Sequence, residues 1–182
     1  ILAMLWKKVG YRIINPAPSY PSFTALDYWH AEKPPLFYPL DPEKNWEPDM
    51  EALEEQLQEH PEAIGILVIH PNNPTGRLYS AETLEKFVEL AERYGRILIC
   101  DQIYYRLILQ GKYNPITRQA HHRVATFVLK GSSKDGPVPG IKAGSIEGHN
   151  MDCHPGGEDL WRAIKALVQA MVGATSLLQK VN

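Results

Sequence analysis

A chain of 182 residues is long enough to bury a full hydrophobic core and fits a single domain. Its 19 basic and 21 acidic residues nearly cancel, and the pI is near 6.4, so no field directs the protein to nucleic acid or to an anionic membrane. Cys100 and Cys153 are too few for a disulfide framework or a thiolate zinc site and fit a reducing cytoplasm, and no apolar run approaches the length of a membrane span.

The chain opens on the amphipathic "ILAMLWKKVG", with neither a methionine nor a cap before it, and is expected to begin inside an element. "YRIIN" reads as a short strand and "SFTALDYWH" as a helix. "EPDMEALEEQLQEH" is predicted as a helix with Pro48 in its first turn and Met50, Leu53 and Leu57 on one stripe. "IGILVIH" is a strand apolar on both faces and ends abruptly in "PNNPTG". Ser80 is the expected N-cap of a helix that places Leu84, Phe87, Val88 and Ala91 on one face and stops at Gly95. "RILIC", "RVATFVLK" and "IKAGSIEG" are further strands. "GEDLWRAIKALVQAMVGATSLLQ" is a closing helix carrying Leu160, Ile164, Leu167, Val168 and Met171.

Continuous apolar strands separated by amphipathic helices predict an α/β fold: a parallel or mostly parallel sheet with helices on both faces. Ligands of such sheets bind beyond the carboxyl ends of the strands, which directs attention to "PAPSY", "PNNPTG", "DQIY" and "GSSKDGPVPG". Each has an ordinary structural explanation. "NNPTG" has the composition of a turn, Asp101 could cap a helix over "QIYYRLIL", Lys130 and Lys134 could be solvated, and Tyr20 could pack on neighbouring prolines. His121, His122, Cys153 and His154 form adjacent pairs without metal-ligand spacing and read as loop surface.

The joint occurrence, in order, of a phenol, an asparagine, a carboxylate and a lysine at successive strand ends carries more than any one of them. "PAPSYPSFTAL", "HPNNPTG", "DQIYYRLI" and "SSKDGPVPGIKAG" resemble the corresponding motifs of the fold-type I pyridoxal-phosphate enzymes, the class I and II aminotransferases. The likeness extends over most of the chain and includes "LDPEKNWEPDMEALE".

The resemblance implies a three-layer large domain over residues 1–182 with pyridoxal 5'-phosphate as cofactor. It implies roles for individual residues. Lys134 is similar to the Schiff-base lysine, which bonds the cofactor aldehyde and then moves the substrate Cα proton. Asp101 is similar to the carboxylate that faces the ring nitrogen, Tyr104 and Asn73 to the donors to the ring 3-oxygen, and Tyr20 to the aromatic that covers the ring. Ser132 and Lys142 are the remaining candidates for the phosphate, with Ser133 as a second hydroxyl. Lys142 stands where the family commonly has an arginine, keeping the charge and losing the bidentate fork. Ser145 stands in place of a frequent aromatic, and Gly131 in place of a frequent hydroxyl-bearing residue.

The implied activity is amino-group transfer from an amino acid to a 2-oxo acid, in a homodimer of the intact enzyme. Alternatives sharing these residues are a β-lyase or synthase of the same fold, and a truncated, inactive or regulatory cofactor-binding domain. The family's upstream glycine-rich phosphate loop and downstream small domain have no counterpart in this sequence. The 182-residue chain alone is therefore expected to bind the cofactor weakly and not to turn over.

Overall fold

In a computed structural model, which describes residues 12–31, 33–136, 138–141 and 143–170, the chain forms a seven-stranded sheet between two sets of helices. In chain order the elements are β1 (Arg12–Ala17), α1 (Pro21–Ala31), β2 (Leu36–Asp41), β3 (Glu47–Pro48), α2 (Met50–Glu59), β4 (Ala63–Ile69), α3 (Ala81–Arg93), β5 (Ile97–Asp101), α4 (Ile116–Gln119), β6 (Thr126–Gly131), α5 (Ser132–Asp135), β7 (Gly144–His149) and α6 (Gly157–Ala170). The strand order is β3-β2-β1-β4-β5-β6-β7. The five strands β2, β1, β4, β5 and β6 run parallel, and β3 and β7 close the two edges antiparallel. The expected mostly parallel α/β sheet is thus observed.

Burial explains why the central strands carry no polar alternation. Ile66 and Val68 of β4 face one core with Leu53 and Leu57 of α2 and Leu84, Phe87, Val88 and Ala91 of α3. Leu67 and Ile69 face the opposite core with Ile99, Phe127 and Ile164 of α6, against which Phe23 of α1 packs. A strand between two helix layers has no wet face, so its sequence is apolar throughout. Among the described residues, no helix is long and apolar enough to cross a membrane.

Three expectations are corrected. Pro48 lies in β3, paired with Leu40, rather than in the first turn of a helix. The helix begins at Met50 because the Asp49 carboxylate accepts from the backbone N–H groups of Glu51 and Ala52 at 3.1 and 3.0 Å, which places the cap one residue beyond the proline. Second, β2 was not foreseen. Its "LFYPLD" alternates between buried Leu36, Tyr38 and Leu40 and exposed Phe37 and Pro39, and two flanking prolines hide that period-two pattern. Third, "QIYYRLIL" forms turns rather than a helix. The expectation for "ILAMLWKKVG", together with Tyr11, Lys142 and the closing helix from Met171 onward, lies outside the described residues.

Candidate active site

The "HPNNPTG" turn divides its work between two adjacent asparagines. Asn72, buried at 4% exposure, closes the turn: its Oδ1 accepts from the Thr75 hydroxyl at 2.8 Å and from the Thr75 N–H at 3.3 Å. Its own backbone bonds Gly76 and Arg77, each at 2.9 Å. Gly76 at φ +73° supplies the left-handed residue that the reversal requires. Because Asn72 satisfies the turn, Asn73 is released to present its amide to a cavity, where Nδ2 donates to the Tyr104 hydroxyl at 3.4 Å.

Behind this turn sits His70, fully buried and bonded at both nitrogens. The Tyr79 N–H donates to Nδ1 at 3.3 Å, so the ring proton is on Nε2, which donates to the Asn114 carbonyl at 3.0 Å. The imidazole is stacked between Tyr79 and Tyr113, with centroids at 5.5 and 4.9 Å. Burial pushes its pKa down from 6.5 to about 4, against the opposing pull of the Asn114 hydrogen bond.

Asp101 ends β5 next to that histidine. Its Oδ1 accepts from the Ile103 N–H at 2.9 Å, an Asx-type turn two residues on, and no helix follows for it to cap. Burial pushes its carboxyl up from 3.8 to about 6, with the Ile103 hydrogen bond pulling the other way. A carboxylate held in this state favours a cation on its open side.

That side is a cavity of about 400 Å³, which Asp101 lines together with Tyr20, Asn73, Tyr104 and Lys134. The expected phenols, asparagine, carboxylate and lysine therefore meet at one place. Lys134 is exposed, on the four-residue α5, with its ammonium 5.8 Å from the centroid of the Tyr104 ring. Tyr20 is 45% exposed and meets Phe23 edge to face.

The expected phosphate end is less complete. Ser132 does not line the cavity: its hydroxyl donates to the Ala143 carbonyl at 3.3 Å, while Ser133 takes the lining position. Two residues not singled out as ligands from the sequence, Ile103 and Leu129, form apolar wall. Gly131 packs closely here: a Cβ there would lie 2.7 Å from the Ile103 Cδ1, which would have to move aside, and 3.3 Å from the Ala143 carbonyl. Lys130, weighed beforehand as a solvated lysine, lines the cavity and is paired with Glu147. Its place as the penultimate residue of β6, four positions from Lys134, was the available signal.

The profile of the family described as "Aminotransferase class I and II" matches residues 1–182. The chain belongs to the class I and II aminotransferases. Over 141 residues it is 42% identical to an uncharacterised aminotransferase of Methanocaldococcus jannaschii, covering 78% of this chain and 33% of that protein. It is 33% identical over 135 residues to an alanine aminotransferase of Mycobacterium tuberculosis, covering 74% of this chain and 31% of the relative. The fold superimposes on an alanine aminotransferase from Pyrococcus furiosus with a TM-score of 0.81 and 27% identity, over 94% of this chain and 43% of the other. The chain thus spans about a third of the length of these curated aminotransferase relatives.

Proposed function

We propose that residues 1–182 are the cofactor-binding large domain of a pyridoxal-phosphate-dependent aminotransferase, which moves an amino group from an amino acid to a 2-oxo acid as a homodimer. The observation that carries this reading is the convergence of Tyr20, Asn73, Asp101, Tyr104 and Lys134 on one cavity. The donor set suits the cofactor at the ring end, where a largely buried carboxylate, with no cation paired to it among the described residues, stands beside the Asn73 amide and the Tyr104 hydroxyl. Pyridoxal phosphate, when bound, supplies an electron sink for charge released at the substrate Cα.

The protein's own groups support that chemistry in distinct ways. Asp101 would present a negative charge to the ring nitrogen and favour its protonated form. The Asn73 amide and Tyr104 hydroxyl, in mutual contact at 3.4 Å, would be the donors to the ring oxygen. Tyr20 would cover the ring. Lys134 would supply the amine that holds the aldehyde and the base that moves the substrate Cα proton, a role that general base catalysis makes worth about 10²–10⁴ in rate. Ser133 and Lys142 are assigned to the phosphate.

The test is reduction with borohydride in the presence of pyridoxal phosphate, followed by peptide mapping. The pyridoxyl mass should sit on Lys134 and disappear in Lys134→Ala. A label spread over surface lysines would overturn the assignment. Relatives named for alanine amino transfer make alanine with a 2-oxo acid the first pair to assay.

A further inference from the structure

Two lysines line the cavity, yet the reading above requires that an aldehyde be held by one of them. They differ in what surrounds the nitrogen. Lys130 Nζ donates to Glu147 Oε1 at 2.6 Å and lies 5.5 Å from the centroid of the Tyr105 ring. Lys134 faces the Tyr104 ring, and among the described residues no carboxylate pairs with it. The Lys130 contact follows from strand register. Lys130 is opposite Ser145 in the antiparallel β6–β7 pair, so Glu147, two residues further along β7, is its diagonal neighbour on the same face.

Glu147 is well suited to hold a cation. The Lys130 hydrogen bond is the largest influence holding its carboxyl below the usual range, outweighing partial burial, and His149 Nε2 at 3.2 Å adds to it. Attack on an aldehyde requires the nitrogen lone pair, which exists only on the deprotonated amine. An ammonium committed to a carboxylate at charge-assisted distance has none to offer, and giving up its proton would strip Glu147 of its donor.

We propose that Glu147 is a positioning residue that ties up the Lys130 ammonium and thereby directs carbonyl chemistry in this cavity to Lys134. The proposal rests on the assignment of an aldehyde cofactor. In the directed step the Lys134 lone pair bonds to the aldehyde carbon, the two amine hydrogens leave with the carbonyl oxygen as water, and a C=N bond remains. Added borohydride delivers hydride to that carbon while solvent protonates the nitrogen, fixing the tag as a secondary amine.

The experiment compares wild type, Glu147→Gln, Glu147→Gln/Lys130→Met and His149→Ala. Each is labelled with pyridoxal phosphate and borohydride and, separately, with trace acetic anhydride, which reads lysine reactivity without a cofactor. In wild type Lys134 should exceed Lys130 by about tenfold or more with either reagent, the order of magnitude that one charge-assisted hydrogen bond carries in an equilibrium. Glu147→Gln, isosteric and on an edge strand, should raise Lys130 labelling relative to Lys134 by about that factor. The double variant should return to a single site. His149→Ala disturbs the same cluster but leaves the Lys130 pair, and should keep the wild-type ratio. An unchanged ratio in Glu147→Gln, equal labelling of the two lysines in wild type, or an equal shift in His149→Ala overturns the proposal. Pyridoxyl label on neither cavity lysine instead overturns the cofactor reading, and the acetylation ratio then decides on Glu147 alone.

Discussion

His70 and Asp101 stand side by side at the ends of β4 and β5, the His70 N–H donating to the Asp101 carbonyl at 2.9 Å. Their side chains have opposite fates. The imidazole has a partner for each nitrogen and a ring on each face, and nothing further can be added to it. The carboxylate has one backbone donor and a cavity on its other side. Both groups are perturbed mainly by burial, yet one is finished scaffold and the other an unfinished contact. A shifted pKa therefore does not by itself mark a site; an unfilled coordination around the shifted group does.

Emptying the finished group should have the largest effect. His70→Ala leaves the Tyr79 N–H and the Asn114 carbonyl without partners and a void between two rings, and should destabilise the protein by about 3–5 kcal/mol in chemical denaturation. A loss under about 1 kcal/mol would mean that the stack is not holding the turn.

Neutralising the unfinished group should do the reverse to stability. At pH 7 the folded protein pays for a carboxylate whose pKa is raised from 3.8 to about 6, so Asp101→Asn should stabilise the cofactor-free fold by up to about 3 kcal/mol, read as a higher Tm. The same variant should lower substrate Cα proton exchange in the cofactor-loaded enzyme by roughly 10²–10³, the usual effect of removing one preorganised electrostatic partner. A fall in Tm would show that Asp101 is structural.

Acid titration sharpens the contrast. His70, folded with a pKa of about 4 against 6.5, contributes stability that is present above pH 6.5 and lost as the pH falls toward 4. Asp101 is raised, so its contribution is present below pH 3.8 and lost as the pH climbs through 6. The windows overlap and the slopes oppose, each amounting to about 3 kcal/mol. For these two groups the wild-type dependence between pH 4 and 6 is nearly flat, while Asp101→Asn should expose the histidine slope, losing stability on acidification. A parallel pH dependence in the two proteins would break the comparison.

The smallest effects should come from the paired asparagines. Asn72→Ala should cost about 1 kcal/mol of stability through the lost Thr75 contacts. Asn73→Ala should leave stability within about 0.5 kcal/mol and weaken pyridoxal-phosphate affinity about tenfold in a spectroscopic titration. Equal stability losses would abolish the division of labour within the turn.

These contrasts also show what sequence could and could not convey. The apolar runs of β4, β5 and β6 and the Ser80 cap were legible because burial on two faces and a side-chain cap leave local traces. That Asn73, Asp101, Tyr104 and Lys134 stand around one cavity was anticipated from the family resemblance of the motifs that carry them. The β2 strand was hidden by the flanking Pro35 and Pro42 together with Pro39 inside it, which its exposed position tolerates. The Lys130–Glu147 pair depends on antiparallel register between two strands, and the Ile103–Gly131 approach on a turn after β5 meeting the end of β6, so neither is a property of any single stretch. Asn72 and Asn73 are chemically identical neighbours, and only the fold assigns one to the turn and the other to the cavity.

The contact between Ile103 and Gly131 has a consequence for the order in which this sequence can change. A Cβ at position 131 meets the Ile103 methyl, the movable end of a side chain, and Ile103→Val deletes that methyl beforehand, while the Ala143 carbonyl at 3.3 Å remains in either order. Gly131→Ser is thus eased, not gated, by the order of the two steps. The glycine at the head of the lysine motif is coupled to a residue 28 positions upstream.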